Sequence, residues 1–330
     1  VGEAEVRRKV EEDRRRLVEA GFAGEVYLCC RGQEIAFEGS GVVGQNEIVT
    51  QHLIASLSKA FTGFAIHELA RRGQLAREDQ LARFFSVPCA FEGVTVQDLL
   101  NHTSGVTDGL ERGELEDLDL EHSAHAVLER YLELHPQPEP RRFSYANMNY
   151  SFLGAIVEQV TEQSHEAAMR ELIFAPLELS QTRFVSESSA LTPGCKLAEP
   201  TRGATYKAPF DWLGYKGSDG ILSTTRDLAR FLNRLVRPTF VRDFDEQGSS
   251  FCASSDITNH MYGYGWYFEL GSDGLTKVLR SIWHGGASWP EAYLAYAKYD
   301  VERDVELILL SHSPEAQEAI GAFIEACSSL

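Results

Sequence analysis

The sequence predicts an α+β fold: an antiparallel sheet flanked by helices, with a mainly helical domain inserted between its parts. Three observations predict it. Short β-rich runs lie near both ends of the chain, the middle has helical periodicity, and an amphipathic helical segment stands at each end. Residues 1–55 and 216–330 are therefore expected to form one discontinuous α/β domain. Residues 56–215 form the helical one, and the functional site lies at their interface.

In chain order, residues 3–20 place Val6, Val10 and Leu17 on one helical face among charges, and Gly21 ends that helix. "EVYLCC", the turn "RG" and "QEIAFEGSG" read as two strands of a hairpin. Helical character runs from about 56 to 200, clearest over 58–72, 121–134 and 149–162, and the acidic stretch "LERGELEDLDLEHSAH" interrupts it. In the last third, "GYGWYFEL", "KVLRSIWHGG", "EAYLAYAKYD" and "VELILLSH" are short β-rich runs separated by turn residues. The closing helix, "SPEAQEAIGAFIEAC", puts Ala316, Ala319, Ile320 and Phe323 on one face. Helices from both ends are expected to cover one face of the sheet.

Composition narrows the function. Hydrophobic residues at 43% and charged residues at 24% of 330 describe a soluble globular chain. A net charge of −18 argues against nucleic acid, which needs a basic footprint, and against docking on anionic membranes. No apolar run is long enough to span a bilayer, and "VGEAEVRRKVEEDRRRLVEAG" is charged rather than signal-like. The six cysteines are scattered, and neighbours Cys29 and Cys30 point to opposite faces of one strand. No CxxC occurs, so reduced thiols and a cytoplasmic protein are expected.

The stretch "HLIASLSKAFTGFAIHELARRG" carries Ser56 and Lys59 three residues apart, hence on one helical face. A serine hydroxyl needs a base to become a nucleophile, and a lysine serves when burial or cationic neighbours lower its pKa. A helix N-terminus adds backbone N–H groups for a developing oxyanion. The spacing alone does not separate a reacting pair from two polar residues on a first turn. Downstream, "RRFSYANMNYSFLGAIVEQVT" holds Tyr145 and Asn147 on a loop before an amphipathic helix. A phenol near a lysine ammonium can hold a lowered pKa and act in proton transfer, although Tyr145 taken alone reads more readily as a half-buried aromatic with a satisfied hydroxyl. "SIWHGGASW" ends a strand on His284, Gly285 and Gly286, where missing side chains let a substrate approach the backbone.

These motifs, in this order, resemble the serine β-lactamase and penicillin-binding-protein-like superfamily, nearest its class C and esterase branch. That family shows S-x-x-K, then Y-x-N, then K-T-G or H-x-G. Here they are Ser56–Lys59, Tyr145–Asn147 and His284–Gly286. "VTVQDLLNHTSGVTDG", "SDGILSTTRDLARFL" and "YGYGW" resemble further segments of the family, and the likeness runs from about residue 22 to 312. It implies the β-lactamase/transpeptidase-like fold and an acyl-enzyme on Ser56. Lys59 and Tyr145 would share general-base and general-acid work, Asn147 would orient substrate or Lys59, and His284 would polarise Tyr145 or bind substrate. The backbone N–H groups of Ser56 and Ala287 would form the oxyanion hole.

One departure shapes the substrate expectation. The third motif reads His-Gly-Gly, so Gly285 stands where β-lactamases have a hydroxyl that helps hold the substrate carboxylate. That favours ester, thioester or amide substrates lacking a carboxylate there. In the family, the segment matching "TYKAPFDWLGY" borders the acyl pocket. Tyr206, Phe210, Trp212 and Tyr215 are therefore candidates for an apolar wall, or equally for anchors of the domain junction.

Other constellations read as surface or core. His122 and His125 lie in an acidic run that reads as a solvated loop, and neither H-E pair has a second His at zincin spacing. No G-x-S-x-G or phosphate-loop motif is present. The expectation is a metal-free, cofactor-free serine hydrolase acting on a small-molecule acyl substrate, free or presented on a carrier. An acyltransferase using the same residues is the alternative, followed by a β-lactamase or D-amino-acid peptidase, and by a non-catalytic binding member.

Overall fold

The structure is a computed structural model that describes residues 3–38, 49–108, 124–139, 141–185, 195–197, 216–242, 244, 252–272, 277–288 and 293–327. Helix α1 (Glu3–Glu19) leads into the hairpin β1 (Gly24–Cys30) and β2 (Gln33–Glu38), where the sequence places them. Strand β3 (Val49–Leu53) precedes the central helix α2 (Ser58–Arg71). The helical part continues with α3 (Val96–Leu100), α4 (Ala124–Leu134), α5 (Asn147–Thr161) and α6 (His165–Met169). After the short strands β4 (Arg183–Phe184), β5 (Cys195–Leu197) and β6 (Ile221–Ser223) comes α7 (Thr225–Phe231). The chain then forms β7 (Ala253–Ser254), β8 (His260–Gly263), β9 (Trp266–Ser272), β10 (Lys277–Ala287), β11 (Leu294–Asp300) and β12 (Val305–Ser311). It closes with α8 (Gln317–Cys327).

Eight strands form one antiparallel sheet in the order β2-β1-β12-β11-β10-β9-β8-β7. The two ends of the chain meet inside it, because β1 pairs with β12 from Gly24↔Ser311 to Cys30↔Val305. Period-2 alternation then sorts the side chains. Val26 and Leu28 of β1, with Leu307 and Leu309 of β12, face α1 and α8, where Val10, Leu17, Ile320 and Phe323 bury against them. Ile308, Leu310, Ala297 and Ile282 face the other way and join the larger core of the helical part. Both terminal helices thus lie on one face of the sheet.

A second, four-stranded sheet, β4-β6-β3-β5, was not legible in the sequence. Its strands are only 2 to 5 residues long, too short to show a period of their own. It matters for the site, because β3 pairs with β6 and the Ile54 N–H donates to the Ile221 carbonyl at 3.0 Å, fixing the chain just before Ser56.

Glycines seat the large sheet on α2 where a side chain would collide. A Cβ at Gly63 of α2 would stand 2.2 Å from the Tyr264 carbonyl oxygen. One at Gly265, in the turn between β8 and β9, would stand 2.4 Å from the Ala60 backbone nitrogen. The Tyr-Gly-Tyr-Gly-Trp stretch therefore presses backbone against backbone beside Lys59.

Candidate active site

Ser56 sits in a single 3-10 turn, Ala55–Leu57, immediately before α2, rather than on the helix itself. Ala55 holds φ at +45°, a left-handed conformation that costs a residue with a Cβ about 1 kcal/mol or more. The strain lies directly beside the candidate nucleophile. Residues three apart eclipse on a 3-10 turn, so Lys59 still comes under Ser56. Its ammonium donates to Ser56 Oγ at 2.9 Å, to Asn147 Oδ1 at 2.7 Å and to the Ser218 carbonyl at 3.2 Å. Ser58 turns away into the core, where its Oγ accepts from the Ile221 N–H at 3.3 Å.

Lys59 is completely buried. Burial pulls its pKa down to about 8, against the opposing pull of the carboxylates of Asp219 and Asp108. Asp219 is pushed up to about 6 by its own burial, with the Gly220 N–H (2.6 Å to Oδ1) and Lys59 restraining the rise. Asp108 keeps solvent on one side, so its influence on the lysine is screened. It accepts from the Met148 N–H at 3.1 Å and from Asn147 Nδ2 at 3.2 Å. Asn147 is the first residue of α5, not a loop residue, and its amide links Lys59 to Asp108.

The phenol of Tyr145 corrects a sequence expectation. Its ring lies 5.1 Å from Lys59 Nζ, yet its pKa is raised, not lowered, because burial outweighs the hydrogen bond it shares with Ser56. Tyr145 is thus held as a protonated phenol, and Lys59 is the group whose pKa falls near neutrality. His284 is buried beside these groups. Burial, then the charge of Lys59, lowers its pKa to about 3, so it is neutral. Its Nε2 pairs with the Tyr262 hydroxyl at 3.1 Å, and its ring centroid lies 6.3 Å from that of Tyr145. No hydrogen bond joins His284 to Tyr145.

Sequence reasoning passed over His102, although it lies in a quoted segment. Its carbonyl accepts from the Ser144 N–H at 2.9 Å, and its Nδ1 accepts from the Ala146 N–H at 3.3 Å and Asn149 Nδ2 at 3.1 Å. These bonds bracket Tyr145 on both sides, and the imidazole packs on the Tyr145 ring at 4.5 Å between centroids. Asp108 and Asp219 were passed over likewise. Their only signal was membership of the segments that carry the resemblance.

Strand β10 supplies the opposite wall. The Ser288 N–H donates to the Tyr293 carbonyl at 3.1 Å, which makes 288 and 293 a hydrogen-bonded pair. Alternation then turns the N–H of Ala287 away from β11, toward the edge that β9 stops covering at Trp283↔Tyr267. That edge borders a cavity of about 510 Å³ shared by Ser56, Tyr145, His284 and Ala287. The other walls are Tyr267, Trp283, Leu294, Tyr296 and Ile324. Tyr206, Phe210, Trp212 and Tyr215 lie outside the described residues.

The two glycines of the third motif are not equivalent. A Cβ at Gly286 would meet the Ile54 carbonyl oxygen at 2.2 Å and the Ser56 nitrogen at 3.1 Å, whereas one at Gly285 would find ordinary contacts at 3.8 and 3.9 Å. Gly286→Ala is accordingly expected to push β10 off the Ser56 turn. The expected cost is about 1–3 kcal/mol of stability and most of the acylation rate. Gly285→Ala is expected to melt within about 2 °C of the parent, as an unstrained change of small free energy should. Thermal denaturation of the two variants side by side checks this; equal melting temperatures would contradict the close approach.

No metal-binding cluster of three or more His, Cys, Asp or Glu occurs among the described residues. His125 instead stacks on Phe85 at 4.8 Å and pairs with Glu129, while His122 lies outside the described residues. Among the described residues no helix is long and apolar enough to cross a membrane.

The chain is 30% identical to Protein flp of Staphylococcus aureus (strain NCTC 8325 / PS 47) over 184 residues, 53% of this chain but only 33% of that protein. Penicillin-binding protein 4* of Bacillus subtilis (strain 168) is 25% identical over 298 residues, 84% of this chain and 64% of the relative. The chain thus spans about a third of the first relative's length and under two thirds of the second's. In fold it is similar to the D-amino acid amidase of Ochrobactrum anthropi SV3 complexed with L-phenylalanine amide. That match has a TM-score of 0.72 and 19% identity, and covers 98% of this chain and 99% of the amidase. The Beta-lactamase family model matches residues 14–325, nearly the whole chain, and the protein belongs to that family.

Proposed function

We propose that the protein is a serine acyl-enzyme hydrolase of esters or related acyl compounds. One observation carries the reading: a buried lysine with a pKa of about 8 lies 2.9 Å from a serine hydroxyl that opens on a cavity. At pH 7 about a tenth of such lysines are neutral, enough to supply a base. The neutral amine takes the Ser56 proton as Oγ attacks the substrate carbonyl. Asn147 and the Ser218 carbonyl hold the resulting ammonium. The backbone N–H groups of Ser56 and Ala287 receive the oxyanion, each donor contributing about 3 kcal/mol to barrier lowering. Tyr145, still protonated, gives its proton to the leaving group and recovers one from Lys59. Water then repeats the sequence on the acyl-enzyme.

Ester and amide hydrolysis share these steps. The amidase of similar fold, complexed with L-phenylalanine amide, supports keeping amides within the substrate class. An acyltransferase would differ only in letting an alcohol or amine replace the water. The scattered cysteines support placing the protein in the cytoplasm, and a carrier-borne acyl group belongs to the same proposal.

A comparison of kcat/KM for an aryl acyl ester and a cephalosporin tests the substrate class. The ester is expected to be preferred by at least about tenfold, because Gly285 offers no hydroxyl to a carboxylate and unrewarded polar groups are discriminated against strongly. Preference for the cephalosporin would replace the esterase reading with a β-lactamase one.

A further inference from the structure

The cavity that holds Ser56 is lopsided. Its catalytic side is polar, and its far side is a run of aromatic rings that the mechanism above does not use. Tyr267 of β9 stacks on Trp283 of β10 with centroids 4.6 Å apart and planes 15° apart. Tyr296 of β11 continues the row at 6.0 Å and 28°. Leu294 and, from the last helix, Ile324 close its end.

The pleat explains the row. Trp283 and Gly285 share one face of β10, and Gly285 pairs with Tyr296 across the ladder. A Cβ built at Gly285 would touch Tyr296 Cδ2 at 3.9 Å, so a larger residue there would stand over that ring. The glycine that removes a carboxylate-gripping hydroxyl therefore also uncovers an aromatic surface. Trp283 and Tyr296 are only partly buried. Among the described residues nothing hydrogen-bonds to the Trp283 indole N–H or to the Tyr267 and Tyr296 hydroxyls. Among the described residues that line the cavity there is no arginine or lysine, and Lys298, which pairs with Trp283 across the ladder, is held by Glu269 at 3.7 Å. Such a wall rewards a flat apolar group and gives no counter-charge to an anion.

We infer that Tyr267, Trp283, Tyr296 and Ile324 form a specificity subsite for a bulky apolar group, preferably aromatic, on an uncharged acyl substrate. The inference rests on the acyl-enzyme reading and deepens it. The group belongs either to the acyl half, which stays on Ser56, or to the leaving group, which departs first.

Two substrate series separate these. One holds a nitrophenol leaving group and varies the acyl part from acetyl to butyryl to phenylacetyl. The other holds acetyl and varies the alcohol from ethyl to benzyl to naphthylmethyl, alcohols of similar acidity. Burying a phenyl-sized group is expected to raise kcat/KM at least about tenfold along one series. Trp283→Ala and Tyr296→Ala are each expected to bring that ratio down toward one, and Trp283→Phe to retain most of it. Mass spectrometry of wild-type Ser56 runs alongside. Acylation with both series flat, or a preference that survives both alanine variants, overturns the subsite alone. A wild-type chain that never gains acyl mass on Ser56 overturns the acyl-enzyme reading and the subsite with it.

Discussion

Ser56→Ala is expected to abolish covalent labelling by a fluorophosphonate while the protein melts close to the parent temperature. The side chain is partly exposed and its hydrogen bonds are to Lys59 and Tyr145, so its loss leaves the surrounding core packed. Ser58→Ala is the control with the opposite expectation. Ser58 is 1% exposed and its hydroxyl serves the Ile221 N–H. Removing it costs about 1 kcal/mol of stability and leaves the label in place. Peptide mapping of the labelled protein decides the matter, and a label on Ser58 or another serine would refute the assignment.

Lys59→Ala and Tyr145→Phe are each expected to slow acylation by about 10²- to 10⁴-fold, the range for general acid–base groups. The double variant should lose far less than the product of the two, because groups that pass one proton between them act as a unit. The pH profile distinguishes the lysine's role from mere packing. Only the unprotonated amine accepts the serine proton, and its pKa is about 8. Acylation should therefore climb about tenfold per pH unit below that value and level off above it. Stability carries the same signature. Between about pH 8 and the ordinary lysine value the unfolded chain binds a proton that the folded one has released, so the fold gains stability as pH rises. A pH-independent acylation rate between 6 and 8, or near-parental turnover in Lys59→Ala, would sink the mechanism.

Much of this molecule was legible in the sequence where the signals were periodic or ordered. The hairpin at 24–38, the terminal helices and the strands after residue 260 each carry their own apolar period, and they appear where it puts them. The three motifs gave Ser56, Lys59, Tyr145, Asn147 and His284, and folding brings all five to one place. What the sequence could not disclose was environment. A lysine beside a tyrosine suggests an acidic phenol, but the depth at which Tyr145 lies decides the outcome, and depth has no local signature. His102 and Asp108 act through hydrogen bonds to residues 39 to 47 positions away, and Asp219 through its charge on the more remote Lys59, beyond any window of periodicity. The aromatic wall was sought at 206–215, where aromatics cluster in sequence. Those residues lie outside the described ones; among the described residues the cavity draws single rings from three successive strands, which only the register of β9, β10 and β11 could align.

The pairing of β1 with β12 has a consequence for how the protein comes into being. Gly24 cannot find Ser311 until nearly 290 intervening residues have left the ribosome, and β10, with Gly286 and Ala287, also arrives late. Ser56 and Lys59 are synthesised early and wait without their opposite wall. During that interval the hairpin β1–β2 presents an unpaired edge, the kind of surface that joins to other chains when left open. Non-local pairing of this sort is slow to form. Nascent chains halted between residues 60 and 300 should therefore be devoid of labelling at Ser56 and prone to association, and release past Ser311 should mark the onset of both solubility and chemistry.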